Sequence, residues 1–270
     1  MVSSMKSFTI GVYSHDLKGV KGIDRATLLK PSRESFASIH KKHPSLHLAI
    51  ALHELEEAAG WKGHVKELTL MAHQGMNLTK ECGKLMQQGF KIRVALPSNA
   101  NLLKNLDVAA LGSLDIQFDL MAFDYASPTA GQRTNFHTLL SAAEGNSVQE
   151  TLHFLHGLGI ALNKVHLGLA DHGLMFKEVM PGINNTGYLQ PCGKEQLENP
   201  QMSREAVETY LKSHASAQKF YTSLNGCFQS FIYNPENGDW ISYDDSITLE
   251  SKIEWAKRRG LAGVFNYRLA

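Results

Sequence analysis

The sequence predicts an α/β protein in which crossover helices join the strands of a parallel sheet. Short apolar runs alternate with longer helix-like segments along most of the 270-residue chain, as in repeated strand–helix units. A loop-rich stretch between Phe176 and Ser246 interrupts this alternation. The pattern is typical of both an open sheet and a closed barrel, and it does not choose between them.

The elements follow one another in regular order. Strands are predicted at residues 7–13, 46–52, 65–72, 91–96, 115–124, 164–170 and 261–267. Helices are predicted at residues 32–43, 78–88, 101–111, 147–158 and 249–259. Gly89 ends one helix and Pro97 stops the strand that follows it, in keeping with the usual roles of these residues.

The interrupting stretch has its own small pattern. It begins with PGINNTGYLQPCGKEQLENP, whose glycines, prolines and asparagines are typical of a loop. A predicted helix at 203–213 follows. Two β-like pieces, at 226–233 and 240–243, flank a turn. We therefore assign residues 1–176 and 247–270 to the main domain and residues 177–246 to an α+β insertion.

Composition excludes several classes of partner. Hydrophobic residues make up 43% of the chain, and the formal net charge is only +1. No basic field is present to attract nucleic acid or an anionic membrane, so neither is an expected partner. The three cysteines, Cys82, Cys192 and Cys227, form no CxxC pair, and we expect reduced thiols.

The chain shows no targeting or membrane-spanning segment. Its first 14 residues lack the apolar run of a secretory signal. No stretch approaches the roughly 20 apolar residues that span a bilayer. The expected location is cytoplasmic, or secreted if a signal segment has been removed.

Three ordered motifs carry a family resemblance. They are MAFD at 121–124, LGLADHG at 167–173, and SYDD…S…K followed by GLAGVFNY within 233–270. In this order they resemble the C-terminal part of glycoside hydrolase family 18, the chitinase-like family, whose sixth strand reads Met-x-Tyr-Asp and whose seventh reads LGxPxYG. The resemblance covers about residues 91–270.

The resemblance implies a TIM-type (β/α) barrel, with residues 177–246 at the place of the family's chitin-binding insertion. Only 90 residues precede Lys91, and four complete βα units of roughly 30 or more residues each do not fit there. We expect one unit to be shortened or lost, which would leave the barrel incomplete in its N-terminal half.

The catalytic motif of the family is absent. In the family, DxxDxDxE on the fourth strand supplies a glutamate that protonates the leaving oxygen and aspartates that hold the substrate's N-acetyl group, which attacks the anomeric carbon. The chain contains no DxxDxDxE. Aligning KELTLMAH with the motif puts Lys66, Thr69, Met71 and His73 at the acidic positions.

The resemblance also implies a ligand-binding set at the barrel mouth: Asp124, Phe123, Met121, Tyr125, His172 and Tyr267. Asp124 is the retained polar group, and its alternative role is a helix N-cap or a loop-fixing carboxylate. Phe123 and His172 stand where the family has tyrosines, and Tyr267 where it has a tryptophan. Asp171 and His172 would point in opposite directions along a continuing strand, so at most one lines the pocket.

Glu54 is the leading candidate for a replacement catalytic acid. It follows an apolar strand, and acids at the carboxyl end of a barrel strand can be catalytic. HELEEAA reads equally well as the solvated first turn of a helix, where acids are favourable. HELEE lacks the second histidine of HExxH, and we expect neither a metal nor a cofactor.

Three functions stay open. The first is a chitinase-like protein that no longer hydrolyses and binds a chitooligosaccharide, a related N-acetylglucosamine-containing glycan or a protein partner. The second is an active hydrolase of β-1,4-linked N-acetylglucosamine polymers that uses Glu54. The third is a scaffold whose cleft is filled and whose insertion contacts other proteins.

Overall fold

Eight parallel strands close into a barrel. The computed structural model describes residues 8–18, 20–98, 100–142 and 146–268. The barrel strands are β1 (Thr9–Ser14), β2 (Arg25–Leu29), β3 (His47–Leu52), β4 (Glu67–Met71), β5 (Lys91–Leu96), β6 (Gln117–Leu120), β7 (Val165–Ala170) and β13 (Gly263–Tyr267). Because β13 pairs with both β7 and β1, the sheet has no free edge. The predicted TIM-type barrel is confirmed.

Helices surround this barrel. They are α1 (Arg33–Lys42), α2 (Leu78–Gln87), α3 (Ala100–Leu103), α4 (Val108–Leu111), α5 (Val148–Gly157) and α7 (Ser246–Arg258), with short 3-10 helices at Leu55–Trp61 and Leu162–Lys164. The longer helices begin at side-chain caps: Ser32, Asn77, Ser147 and Asp245 each accept a backbone N–H of the first turn. Such caps satisfy amides that would otherwise lack a partner.

Of the two alternatives for the first half, a shortened unit or a lost one, the structure shows shortening, and the expected incomplete barrel is wrong because all eight strands close the ring. Four strands precede Lys91, and one of them, β2, has no counterpart among the predicted strands. The chain saves residues in the connections instead. The described residues between β1 and β2 contain no α-helix, and only the 3-10 helix Leu55–Trp61 lies between β3 and β4.

Two other elements differ from their predictions. The helix expected at 101–111 is divided into α3 and α4, and the strand expected at 115–124 ends at Leu120. The backbone of Asp124 has a positive φ of 63°, a conformation that ends extended structure. Residue 7 of the first predicted strand and residues 269–270 lie outside the described residues.

A second, antiparallel sheet forms the insertion. Its strands lie in the order β10 (Gln218–Leu224), β11 (Cys227–Asn234), β12 (Asp239–Tyr243), β8 (His172–Phe176) and β9 (Gln201–Ser203). Helix α6 (Arg204–Ser213) packs against β8 and β9. The sheet therefore begins at residue 172, whereas our boundary placed 172–176 in the barrel. Pairing of β8 with β12 and β9 holds this strand in the second sheet.

The core has two main parts. One lies between the barrel strands and the outer helices, and it includes Phe118 and Leu120 of β6, both with no exposed surface. The other lies within the insertion around Trp240, Phe231 and Phe136. In the described part of the chain, every helix is too short or too polar to cross a membrane.

Candidate functional site

The mouth of the barrel has an apolar and aromatic floor. Its members are Tyr13, Leu29, Ala51, Met71, Met121, Phe265 and Tyr267. Their strand neighbours, such as Val12 and Leu28, belong to the outer core instead. Because side chains alternate along a strand, the cluster faces the barrel axis. Met71, Met121 and Tyr267 are only partly buried and form the surface that a ligand would meet.

Asp124 and His172 lie together at the edge of this floor. The carboxylate Oδ1 of Asp124 is 3.6 Å from Nε2 of His172, and the Asp124 side chain is half exposed while that of His172 is buried. Burial by itself would raise the pKa of Asp124, but the imidazoles of His172 and His137 outweigh it and lower the pKa. Asp124 is therefore an ionised hydrogen-bond acceptor at the mouth.

His137 completes this group and was not predicted. Its ring centroid is 5.2 Å from that of His172. Its backbone N–H donates to Ser242 Oγ (3.1 Å), and its Nδ1 lies 2.7 Å from the same oxygen. A hydroxyl that accepts from the backbone can donate its own proton to Nδ1, which leaves the imidazole proton on Nε2. Burial and the neighbouring His172 lower the pKa of His137 to about 3, so the ring is neutral.

Aromatic rings connect this group to the floor. Phe123 makes an edge contact with His172, with 5.7 Å between ring centroids, and lies 5.1 Å from Tyr267. Of the six ligand-binding residues implied by the sequence, five therefore meet at the mouth: Met121, Phe123, Asp124, His172 and Tyr267. The side chain of Asp171 does not join this group, since its carboxylate pairs with Arg204.

Tyr125, the sixth residue of that set, does not join them. Its hydroxyl lies 3.2 Å from Thr151 Oγ1 on α5, and its ring packs against the main core. Burial raises its pKa. The positive φ at Asp124 turns the chain, so the next side chain points into the outer core and not into the mouth.

Glu54, the proposed replacement acid, is not brought to the centre of the mouth. It is exposed, occupies the cap position of the 3-10 helix Leu55–Trp61, and makes no capping hydrogen bond. It forms no hydrogen bond or ion pair with any other described residue. Glu56 and Glu57 follow in the first turn, which matches the interpretation of this segment as a solvated helix start.

The end of β4 carries no acid. Thr69 accepts a hydrogen bond from Arg25 (2.9 Å), and Met71 belongs to the floor. Just beyond the strand, His73 is exposed, and its Nδ1 lies 3.1 Å from the backbone oxygen of Gln74. His73 is the residue that the resemblance puts at the position of the family's final glutamate.

Two carboxylates lie inside the barrel below the floor, but arginines neutralise both. Asp119 pairs with Arg93 and Arg25, and it accepts a hydrogen bond from Tyr13. Arg25 Nε donates to Glu67 Oε1 at 2.7 Å. Burial would raise the pKa of Asp119, but the charges of Arg93 and Arg25 lower it overall. These carboxylates stay ionised and cannot supply a proton to the mouth.

Metal ligation has no candidate in the described ranges. No three histidine, cysteine, aspartate or glutamate side chains there are arranged to hold an ion.

The chain belongs to glycosyl hydrolases family 18, whose model matches residues 57–270. Chitinase 1 of Aphanocladium album is 26% identical over 180 residues, which are 64% of this chain and 40% of that protein. Chitinase-like protein Idgf2 of Drosophila melanogaster is 23% identical over 222 residues, 69% of this chain and 49% of that protein. The chain thus spans about half or less of the length of these relatives.

Solved structures share the fold. A mutant class V chitinase from Nicotiana tobaccum in complex with NAG4 superimposes with a TM-score of 0.78 at 18% identity, covering 96% of this chain and 93% of that one. The chitinase-like agglutinin of Robinia pseudoacacia gives a TM-score of 0.74 at 15% identity, with 96% and 94% covered.

Proposed function

We propose that this family 18 chain is a chitinase-like protein that binds N-acetylglucosamine-containing glycans at the barrel mouth without hydrolysing them. The observation that carries the proposal is the end of β4, where Met71 and His73 replace acids. General acid catalysis needs a proton donor within hydrogen-bond reach of the leaving oxygen. Met71 has no proton to donate, and His73 has an imidazole where the resemblance puts the family's glutamate.

The other acids near the mouth are poor donors. Asp124 has a lowered pKa beside His172, so it holds no proton at neutral pH. Asp171 is held by Arg204 at 2.6 Å and by Arg268 at 3.7 Å. Asp171 is thus occupied by two arginines, whereas the Asp124 carboxylate is suited to accept hydrogen bonds from sugar hydroxyls or from an acetamido N–H.

Glycan binding is supported by the shape and chemistry of the floor. Met121, Phe123 and Tyr267 offer apolar and aromatic surface next to the Asp124 carboxylate. Aromatic side chains with a polar neighbour suit the amphipathic faces of pyranose rings. The crystallised relative from Nicotiana tobaccum holds NAG4, which makes a chitooligosaccharide the first ligand to test.

Binding should be weak. Phe123 lacks the hydroxyl of the family's tyrosine, and the acids of the fourth strand are gone. Each unmade hydrogen bond removes roughly 1–3 kcal/mol, and 1.4 kcal/mol is about a tenfold change in affinity. We therefore expect dissociation constants in the millimolar range for short oligomers.

The test is hydrolysis of fluorogenic chitobiosides and of longer chitooligosaccharides by the homogeneous protein. We expect no product. Glu54→Gln serves as the matched variant, since the glutamate is exposed and its loss leaves the fold intact. Turnover that persists through purification and vanishes in Glu54→Gln would establish the hydrolase alternative. Absence of both turnover and sugar binding would leave a protein partner as the function of this surface.

A further inference from the structure

A cavity whose lining is separate from the residues of the mouth lies where the loop after β6 meets the insertion. Its volume is about 400 Å³, within the range of pockets that hold small molecules. It shares no residue with the group formed by Asp124, His172 and His137. Its lining includes Asn135, Ser141, Tyr188, Leu189, Leu224 and Asn225.

The amides of this cavity have unused hydrogen-bonding capacity. Asn225 Nδ2 donates to Ser141 Oγ at 2.8 Å, which leaves Asn225 Oδ1 as an acceptor. Asn135 Oδ1 accepts the N–H of Phe136 at 2.8 Å, which leaves Asn135 Nδ2 as a donor. Neither remaining atom has a partner within the described part of the chain. The cavity thus offers at least one donor and one acceptor to a ligand.

Tyr188 provides an aromatic wall. Its ring packs on Phe136, with 5.3 Å between centroids, and on Phe231 at 6.0 Å. The side chain is only partly buried, and its hydroxyl bonds to no other described residue. Packing on the aromatic core fixes the ring, so a ligand that stacks on it loses little side-chain entropy.

The charge of the lining limits the ligand. Among the described residues that line the cavity, none carries a charge, and an ion placed against them would lose hydration without gaining a partner. Leu139, Leu189 and Leu224 add apolar surface. The matching ligand is neutral, has one apolar face, and carries both donors and acceptors at its edge.

We infer that this cavity is a second carbohydrate site, which takes one neutral hexose or N-acetylhexosamine residue with a ring face near Tyr188 and its polar groups at Asn135 and Asn225. The site is independent of the proposed function, because a different set of residues forms it. Two separated sugar sites would let the protein hold a branched glycan, or two chains, at once.

The experiment is an amide NMR titration of the full chain with N-acetylglucosamine and with chitobiose. We expect shifts at the lining residues 135, 139, 141–142, 188–189 and 224–225 at millimolar sugar, and we expect them to persist in Asp124→Ala. Asn225→Gly should weaken them about tenfold, the equivalent of one hydrogen bond. Glycine adopts the left-handed backbone of Asn225, whose φ is 50°, so the turn is retained.

Asn185→Gly is the matched control. Asn185 also has a left-handed backbone, with φ 51°, and does not line the cavity, so this variant should bind as the unmodified chain does. The inference is overturned if the cavity residues do not shift, if Asn225→Gly and Tyr188→Ala both bind undiminished, or if glucuronic acid binds as well as the neutral sugar. Shifts that appear at the cavity but not at the mouth would contradict the proposed function alone.

Discussion

Charged side chains inside the barrel form ion pairs and hydrogen bonds that stabilise the fold. Glu67 is buried beside Arg25, Arg93 and His47. Burial would raise its pKa, but the hydrogen bond from His47 and the charges of the two arginines lower it from 4.5 to about 2. A carboxyl whose pKa is lower in the folded state than in the unfolded state stabilises the fold at pH values above its unfolded pKa. That stabilisation is lost as the pH falls toward the folded pKa.

The first prediction concerns this acid range. Between about pH 6 and about pH 3, Glu67 should account for a loss of about 2 kcal/mol of unfolding free energy. Urea titrations at several pH values measure it, with Glu67→Gln as the comparison. The variant should be less stable at neutral pH and lose less on acidification. Equal pH slopes for the two proteins would show that Glu67 is not held by this network.

At the scale of single residues, the sequence motifs identified some of the residues at the barrel mouth. Asp124, Phe123, His172 and Tyr267 were placed by motif, because each follows or ends a recognisable strand. His137 was missed because its contacts are with Ser242, 105 residues later in the chain, and with His172. A lone histidine in a loop carries no local signal of such contacts.

At the scale of elements, continuous apolar runs predict strands well. β5 lies at the predicted residues, and β3 and β7 begin one residue later than predicted. β2 was missed because it begins with Arg25, which looks like a loop residue in sequence. Its charge is accommodated by Glu67 and Asp119, 42 and 94 residues away, so only the tertiary structure makes this segment a strand.

The second prediction tests β6 as a central strand. Phe118 has no exposed surface, and Phe118→Ala should cost roughly 3–5 kcal/mol, because it removes buried apolar area and leaves a cavity. Phe228→Ala is the matched control, since Phe228 is 47% exposed and should change stability little. Denaturant titration gives both values. A cost below about 1 kcal/mol for Phe118→Ala would be incompatible with its burial.

At the scale of the molecule, the insertion is tied to the barrel by polar contacts between distant segments. Lys252 of α7 pairs with Asp244, which follows β12, and donates to the backbone oxygen of Thr138 at 2.9 Å. All of these groups are buried. Breaking such a buried pair costs several kcal/mol, so separation of the insertion from the barrel should be as unfavourable as global unfolding.

The third prediction is therefore a single unfolding transition. Trp240 lies in the insertion core, whereas Trp61 and Trp255 lie in the barrel. In a Trp61→Phe, Trp255→Phe double variant, fluorescence reports the insertion and far-ultraviolet circular dichroism reports the whole chain. The two probes should give the same denaturant midpoint. An earlier fluorescence transition would show that the insertion unfolds independently.

Motif order predicted the barrel as a whole, but closure of its first half could not be read from the sequence. The N-terminal residues were too few for complete βα units. The chain meets that limit by shortening the connections after β1 and β3 while retaining every strand. Residue counts constrain the helices of such a barrel more than its strands, because only the strands must close the hydrogen-bonded ring.

The most direct measurement is a calorimetric titration with the N-acetylglucosamine tetramer, followed by mass spectrometry of the recovered sugar. We predict millimolar binding that strengthens with oligomer length, weakens in Asp124→Ala and Tyr267→Ala, and is unchanged in Tyr221→Ala, a 43% exposed tyrosine outside the mouth. The sugar should be recovered as intact tetramer. Shorter oligomers in the recovered sample, or no heat at millimolar tetramer, would contradict a mouth that binds glycan without cleaving it.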